Sequence, residues 1–435
     1  MSQMLEKINM MKEDELRKFL GQEASGKEME VLFGDEAEAV KLYAETEPDK
    51  DKQGDSLLIM LPGLMGSVLA DKNSGVIWVN PFAFLKGRMN DLDLKPDGKT
   101  DAASGVKIFA PNPLWIAYAK IVMRLEHGFE THSFPYDWRR STVDTAKQLM
   151  AFIDEKLAAS PHDKVTLVGH SLGGIVTADY LVSEATKAHA EKHLARAITL
   201  GSPFKGAVDA FTVLAGQSND KMDAAKKLSK KNRPDQMVRS LPSTYQILPA
   251  PRGLYKDWDP IPDLDIYDPA MWKEQGIAIN EKHLAQAKID HEVRAKGDPQ
   301  VDFINIVGIH YDTKVSFIGK MLDALPKIQK EGPGGGDGTV AIQSAIFPGR
   351  TPYYIHEEHV ELVIDRTVIG SIMEWTAGGH PTDLVQNIDD VVLDDGKLRA
   401  AAEPEKTVDM DAVAKKLEAG EELTHAEIKA MYTVM

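Results

Sequence analysis

The chain has 435 residues, of which 43% are hydrophobic and 27% charged, a composition typical of globular proteins with room for one large domain or two to three smaller ones. It contains no cysteine, which excludes disulfides, thiolate nucleophiles and cysteine-bound metal clusters. The formal net charge of −16 argues against nucleic acid as a partner.

The negative charge is concentrated towards the two ends of the chain. Residues 11–55 carry a net charge of −7 and residues 389–435 one of −6, whereas residues 56–388 are close to neutral at −3. These shifts predict three regions: an acidic helical extension over 1–55, a central domain over 56–378, and a second acidic helical extension over 379–435.

The N-terminal region shows two short helical patterns, over 12–20 and about 27–45, followed by a charged linker over 45–56. It lacks the basic end and apolar stretch of a secretory signal. No apolar run approaches the roughly 18 residues that a membrane-spanning helix needs. We therefore expect a cytoplasmic or peripheral protein.

Short apolar runs alternate with helical patterns through the central region, which predicts a mostly parallel α/β sheet with helices on both faces. The predicted strands lie in 57–63, 129–138, 164–170, 195–201, 301–310 and 351–356, and the predicted helices at 142–159, with Thr142 as N-cap, 174–182 and 360–375. Residues 202–300 break the alternation and predict an inserted cap. Beyond the sheet, we expect a helix over 410–420 that Gly420 ends, and a capping box from Thr424 to Glu427.

The strongest motif is Gly169-His170-Ser171-Leu172-Gly173, a G-x-S-x-G sequence between a predicted strand and a predicted helix. A sharp strand–turn–helix at this point holds a serine hydroxyl above the edge of the sheet, and the flanking glycines fit where Cβ atoms would not. Serine is a weak nucleophile, so it needs a base that is oriented by a carboxylate. Ser171 is therefore the predicted nucleophile, and an ordinary serine in a glycine-rich helix entry is the alternative.

The base is expected C-terminal to the nucleophile, because this kind of site follows the chain order serine, acid, histidine. His310 ends a predicted strand and is one candidate. His356 and His359 follow the last predicted strand, and His359 is favoured because it directly precedes a helical pattern. The alternative for His356 is that it is the final residue of that strand, packed or capped.

The predicted acid is Asp337, in the glycine-dense segment Gly336–Val340. An ordinary Asp-Gly turn is the alternative interpretation. Asp312, two residues past the 301–310 strand, is the competing carboxylate.

Acyl transfer also requires hydrogen-bond donors for the oxyanion. The backbone N–H of Leu172 is one candidate donor, and the loop 61–67 offers Leu64 or Met65 as the other. A simple Pro-Gly turn is the alternative for that loop.

Seven segments together resemble the lecithin:cholesterol acyltransferase-like family, over roughly residues 56–375. They are LPGLMGS (61–67), FPYDWRRS (134–141), GHSLGG (169–174), LGSPFKG (200–206), LPSTYQILP (241–249), GDGTV (336–340) and HVELV (359–363). The resemblance implies an α/β-hydrolase fold and a serine-dependent lipid ester hydrolase or O-acyltransferase without cofactor or metal.

The resemblance also implies roles for single residues: Ser171, Asp337 and His359 as the catalytic triad, and the Leu64 and Leu172 amides as the oxyanion hole. It suggests that Trp78 contacts an acyl chain, with a buried packing tryptophan as the alternative. Secreted members of the family have disulfides, which this cysteine-free chain lacks, so their extracellular roles are not carried over.

Two other functions are alternatives. A metal-dependent hydrolase is suggested by His356-Glu-Glu-His359 and by His189-Ala-Glu-Lys-His193, but neither has the H-E-x-x-H spacing. The second is a catalytically silent hydrolase fold that binds lipid or protein.

The expected partner is a lipid or another acyl-ester substrate, and protein partners are not predicted. Five basic residues in the cap suggest contact with an anionic membrane surface, with a solvated helix face as the alternative. They are Lys226, Lys227, Lys230, Lys231 and Arg233.

Overall fold

The computed structural model describes residues 2–47, 54–217, 226–227, 229–319, 327–393 and 408–433. The strands, in chain order, are β1 (Leu57–Leu61), β2 (Leu69–Asp71), β3 (Gly75–Trp78), β4 (Ile108–Phe109), β5 (Thr131–Ser133), β6 (Val165–His170), β7 (Leu194–Leu200), β8 (Asp302–Gly308), β9 (Tyr311–Ile318), β10 (Lys327–Gly336) and β11 (Tyr353–Ile355).

The helices of the N-terminal half are α1 (Ser2–Met10), α2 (Glu13–Lys18), α3 (Gly26–Phe33), α4 (Ala37–Glu45), α5 (Pro81–Leu85), α6 (Trp115–Glu126), α7 (Thr142–Ala159), α8 (Leu172–Val182) and α9 (Lys187–His193). Those that follow are α10 (Val208–Leu214), α11 (Pro234–Ser240), α12 (Pro242–Gln246), α13 (Pro269–Glu274), α14 (Glu281–Lys296), α15 (Ile342–Ala345), α16 (Arg366–Thr376), α17 (Met410–Ala419) and α18 (His425–Thr433).

Six strands form one wholly parallel sheet in the order β11-β8-β7-β6-β1-β5. Every residue of β1 and β6 is buried, so both faces of the sheet centre are covered. The strand order and the helical crossovers confirm the α/β-hydrolase fold expected from the sequence. The carboxyl ends of β6, β7 and β8 therefore lie side by side at one edge of the sheet.

Helix α7 has the predicted bounds, but the predicted N-cap residue, Thr142, is wrong. Ser141 has the extended backbone of an N-cap and its carbonyl accepts from the Thr145 N–H at 2.9 Å, whereas Thr142 is the first helical residue. The Thr142 N–H instead donates to Oε1 of Gln246 at 2.8 Å, which ties α7 to the end of α12. The Thr142 N–H, which has no acceptor within the helix, therefore finds one in a side chain from the cap.

Two further boundaries differ from the prediction. The helix expected over 360–375 is divided into a 3₁₀ turn at Glu361–Val363 and α16, because the Asp365 carboxylate caps α16 by accepting from the Val368 N–H at 2.9 Å. The antiparallel hairpin of β9 and β10 was not predicted, since glycine is depleted in strands and the glycines before Asp337 indicated a loop.

The predicted cap segment lies between β7 and β8, and its described part consists of helices α10 to α14 and connecting turns. A buried ion pair joins it to the sheet layer: Nε of Arg294 on α14 lies 3.2 Å from Oδ1 of Asp179 on α8. Within the cap, the side-chain amide of Gln246 on α12 donates to Oδ2 of Asp290 on α14 at 2.6 Å. The cap is therefore anchored on the helix that follows Ser171.

Both terminal regions pack on the central domain. Leu5, Ile8 and Leu16 are buried in the same apolar core as the sheet strands. The side chain of Trp115 on α6 donates to the Met11 carbonyl at 3.0 Å. These contacts place the helices of the N-terminal region on the surface of the domain, and the region boundaries themselves stay a prediction.

The C-terminal helices have the predicted ends. Gly420 follows α17 in the left-handed conformation, and the Thr424–Glu427 capping box forms through bonds of 2.8 and 3.3 Å. Within the described ranges, no helix combines the length and apolar character that crossing a membrane requires.

Candidate active site

Ser171 lies at the turn between β6 and α8. Its backbone is in a strained conformation, with φ of 53° and ψ of −120°, which is rare for a residue with a side chain. Its N–H donates to the carbonyl of Leu200, at the end of β7, at 2.9 Å. The serine is thus held at the carboxyl edge of the sheet.

The glycines that follow Ser171 are required by close packing. A Cβ on Gly173 would lie 2.4 Å from the carbonyl oxygen of Leu61, at the end of β1. A Cβ on Gly174 would lie 1.8 Å from Oγ of Ser202. Helix α8 can therefore start directly beside the β1 and β7 loops only because both positions lack a side chain.

His359 and Asp337 form a buried pair. Nδ1 of His359 lies 2.8 Å from Oδ2 of Asp337, and the backbone N–H of His359 donates to the Asp337 carbonyl at 2.9 Å. An Nδ1–H that donates to the carboxylate leaves Nε2 with its lone pair, which is the tautomer that a general base needs.

The second carboxylate oxygen of Asp337 is also fixed. Oδ1 accepts from the backbone N–H groups of Thr339, at 3.0 Å, and Val340, at 2.7 Å. The ordinary Asp-Gly turn that was the alternative to a catalytic role is therefore present. Its backbone N–H groups hold the carboxylate so that the other oxygen faces His359.

Gly201 brings the end of β7 against this pair. Its φ is +55°, and a Cβ there would lie 2.8 Å from Oδ2 of Asp337 and 3.0 Å from Nδ1 of His359. Because the neighbouring Leu200 carbonyl binds the N–H of Ser171, one short segment contacts both the nucleophile candidate and the acid–base pair.

A cavity of about 240 Å³ opens at this edge of the sheet. Ser171 and His359 both line it, together with Leu64 and Leu172. The rest of the lining is mostly apolar, and part of it comes from the cap, including Ala210 and Val213 of α10, Met237 and Val238 of α11, and Leu241. The cavity thus combines a few polar groups with an apolar chamber.

The oxyanion candidates lie at this cavity. Leu172 is the first residue of α8, where a backbone N–H has no acceptor within the helix. Leu64 lies in the loop after β1, next to Met65, whose φ is +62° and whose carbonyl accepts from Nε1 of Trp78 at 2.7 Å.

Trp78 does not line the cavity. Its side chain is fully buried and packs between Phe84 and Trp138, with ring centroids at 5.8 and 5.5 Å. Its bond to Met65 makes it a support for the loop, and contact with an acyl chain stays a prediction.

The competing residues lie apart from this cavity. Asp312 is exposed on β9, and neither His310 nor His356 lines the cavity. The ring of His356 packs 5.3 Å from that of Tyr311. Of the alternatives considered from the sequence, His359 and Asp337 are the ones that form an imidazole–carboxylate pair, and His359 lines the same cavity as Ser171.

Two residues of the site were not singled out from the sequence, His170 and Tyr118. The Gly63 N–H donates to the Tyr118 hydroxyl at 2.8 Å, and that hydroxyl lies 2.8 Å from Nδ1 of His170. Nε2 of His170 lies 3.0 Å from the His359 carbonyl oxygen. Burial, assisted by His359, lowers the pKa of His170 to about 3, so its ring is neutral.

Comparison with known proteins agrees with the motifs. The family model described as lecithin:cholesterol acyltransferase matches residues 107–290. The lysosomal phospholipase A and acyltransferase of Homo sapiens is 26% identical over 269 residues, which cover 58% of this chain and 63% of that protein. Lecithin-cholesterol acyltransferase-like 4 of Arabidopsis thaliana is 22% identical over 427 residues, which cover 77% of this chain and 78% of that protein. The chain is thus similar in sequence to the lecithin:cholesterol acyltransferase family over part of its length.

The similarity to this family is partial. The corresponding protein of Canis lupus familiaris is 26% identical, and the chain covers 64% of its length, so the chain spans less than two thirds of the mammalian relatives. The family model includes Ser171 and ends before Asp337 and His359. A Bacillus licheniformis lipase structure has a TM-score of 0.36 and 14% identity, over 73% of this chain and 89% of that one, and adds nothing to the sheet topology.

Proposed function

We propose that this chain is a serine-dependent lipid acyl-ester hydrolase or O-acyltransferase, with Ser171, Asp337 and His359 as its triad. The observation that carries the proposal is the 2.8 Å contact between Nδ1 of His359 and Oδ2 of Asp337, at a cavity that Ser171 also lines. The names of the relatives, phospholipase and acyltransferase, favour the same chemistry.

In the first half-reaction, Ser171 Oγ attacks the carbonyl carbon of the ester while Nε2 of His359 takes the hydroxyl proton. The resulting oxyanion accepts hydrogen bonds from the backbone N–H groups of Leu64 and Leu172. His359 then returns its proton to the departing alcohol, which leaves the acyl group on Ser171. Asp337 holds the imidazole in its tautomer and stabilises the imidazolium.

In the second half-reaction, an acceptor hydroxyl attacks the acyl carbon while His359 takes its proton, and His359 then gives that proton to Ser171 Oγ as the acyl–serine bond breaks. Water as acceptor gives hydrolysis, and an alcohol gives acyl transfer. The apolar cap lining favours acyl chains over small polar acyl groups, since burial of each CH₂ is favourable by about 0.8 kcal/mol.

The basic cap residues lie close in the chain to part of the cavity lining. Lys227, Lys230 and Arg233 are exposed, directly before α11, whose Met237 and Val238 line the cavity. We propose that they attract anionic lipid surfaces. Co-sedimentation that does not depend on anionic lipid in the vesicles would contradict this part of the proposal.

Ester turnover tests the proposal. With p-nitrophenyl esters of increasing chain length, we expect Ser171→Ala to reduce kcat by roughly 10³-fold or more, while Ser104→Ala, an exposed serine, stays at the wild-type level. Unchanged activity in Ser171→Ala would overturn the assignment. Folded wild-type protein with no turnover of any ester would favour a silent binding module.

The same assay with added alcohols separates the two reactions. An acyltransferase forms the ester of the added alcohol in preference to free acid, whereas a hydrolase releases free acid throughout. Both outcomes require the acyl-enzyme and differ only in the acceptor.

A further inference from the structure

Away from the catalytic cavity, three side chains with metal-ligating atoms converge between α7 and α9. Asp154, His189 and His193 each offer one nitrogen or oxygen atom, and these atoms all lie within 4.8 Å of one another. Asp154 is on α7, and the two histidines are four residues apart on α9, where such spacing puts both rings on one helix face. None of the three lines the catalytic cavity.

The contacts of His189 resemble those of a metal-binding histidine. Its Nε2 lies 2.9 Å from Oδ1 of Asp154, and its Nδ1 lies 2.7 Å from the hydroxyl of Tyr180 on α8. Histidines that bind metal through one ring nitrogen usually bond the other to a fixed polar group, which sets the tautomer and the ring orientation. Tyr180 occupies that position here.

An ion pair between His189 and Asp154 alone would not account for the position of His193. Its ring packs against that of His189 with centroids 4.5 Å apart, which brings a second imidazole to a carboxylate that already has one. Nδ1 of His193 is buried and has no hydrogen-bond partner among the described residues. A buried polar atom without a partner is costly, and coordination by Nδ1 would give it one.

We propose that Asp154, His189 and His193 bind one Zn²⁺ ion. The ligands would be a carboxylate oxygen of Asp154, Nε2 of His189 and a ring nitrogen of His193, with water completing a tetrahedral set. Two imidazoles and a carboxylate suit zinc, and bonds of about 2.0–2.2 Å place neighbouring ligand atoms roughly 3.3 Å apart. The three atoms reach that arrangement by side-chain movements of an ångström or two.

Such an ion would join α7 to α9, the helices that precede β6 and β7. Because Ser171 directly follows β6 and Leu200 ends β7, the ion would stabilise the scaffold of the active site without contacting the substrate. This role differs from a metal-dependent hydrolase, and it predicts that zinc changes the stability of the protein while the ester chemistry proceeds without zinc.

Calorimetric titration of the chelator-treated full chain with ZnCl₂ tests the site. We expect one ion per wild-type chain, at least about tenfold weaker binding in His193→Gln and Asp154→Asn, and wild-type binding in His380→Gln, which changes an exposed histidine elsewhere. Zinc should raise the thermal midpoint of the wild type and of His380→Gln only.

The zinc-free midpoint of each variant shows whether it folds. Asp154 is largely exposed, so its variant tests the site even if His193→Gln fails to fold. Absence of wild-type binding at a stoichiometry of one would overturn the proposal. Binding that persists in both variants but is lost in His359→Gln would do so too, since the ion would then occupy the catalytic pair.

Discussion

Nε2 of His170 lies 3.0 Å from the backbone carbonyl oxygen of His359, so the residue before the predicted nucleophile holds the turn after β11 that carries the predicted base. On its other side, the His170 ring meets the hydroxyl of Tyr118, which in turn accepts from the Gly63 N–H. A single buried chain of hydrogen bonds therefore links the predicted oxyanion loop to the predicted base. Because the low pKa of His170 keeps its ring neutral near pH 7, one ring nitrogen stays available as an acceptor in this chain.

Replacing Tyr118 with phenylalanine tests the chain. The change leaves two buried groups, the Gly63 N–H and Nδ1 of His170, without partners, so we expect the free energy of unfolding to fall by about 1–3 kcal/mol. We also expect kcat to fall more than KM rises, because the loop and the base lose alignment. Urea unfolding and ester kinetics measure the two effects.

Tyr353→Phe is the control, since it removes a hydroxyl from a half-buried tyrosine outside the cavity. We expect its stability to change by no more than about 0.5 kcal/mol. Equal losses in the two variants would show that the Tyr118 bonds have no special role.

Replacing Asp337 with asparagine tests the acid. The amide removes the charge opposite the imidazolium and favours the wrong tautomer of His359, so we expect kcat to fall by roughly 10²- to 10⁴-fold with the fold retained. Asp312→Asn is the matched control, because Asp312 is the competing carboxylate and is exposed. The assignment is wrong if Asp312→Asn shows the larger loss.

Replacing Val213 with tryptophan tests the acyl chamber. Val213 lines the cavity from α10, and a larger side chain there reduces the volume available to a long acyl chain. We expect kcat/KM for a dodecanoyl ester to fall about tenfold relative to that for an acetyl ester. Val293→Trp, at an exposed position on α14, should leave this ratio unchanged. An unchanged ratio in Val213→Trp would place the acyl chain elsewhere.

The Asp179–Arg294 pair predicts a pH effect on stability. Burial raises the pKa of Asp179 to about 6, although Arg294 opposes the shift. A carboxyl whose pKa is raised by folding contributes stability that is fully present below about pH 4, the unfolded pKa, and is lost as the pH rises to about 6. Relative to Asp179→Asn, the wild type should therefore lose roughly 2–3 kcal/mol between pH 4 and 6.

Chemical unfolding at several pH values measures this difference. Asp312→Asn is the matched control, because it removes an exposed carboxyl of the same kind. A wild type that gains stability relative to Asp179→Asn across the same window would show that the carboxyl is ionised in the folded protein.

The parts of this structure that could be predicted are those with local signals. The apolar, β-branched run before Ser171 is a fully buried strand, and Gly420 ends its helix in the left-handed conformation. Asp337 and His359 were named from motifs, and their pairing was expected from chain order.

Other parts depend on contacts between segments far apart in the chain. Tyr118 carries no local signal, since its function depends on a glycine 55 residues earlier and a histidine 52 residues later. The N-cap of α7 could not be predicted because Gln246, more than 100 residues away, binds the Thr142 N–H. The cluster at Asp154 likewise forms only when α7 and α9 pack together.

A fluorophosphonate probe tests the central claim most directly, because it reacts covalently with a serine hydroxyl that a neighbouring base activates. After labelling of the folded full chain, digestion and mass spectrometry should place the adduct on Ser171, with labelling abolished in Ser171→Ala and slowed at least tenfold in His359→Gln. An adduct on another serine, or equal labelling rates in the wild type and His359→Gln, would contradict the account.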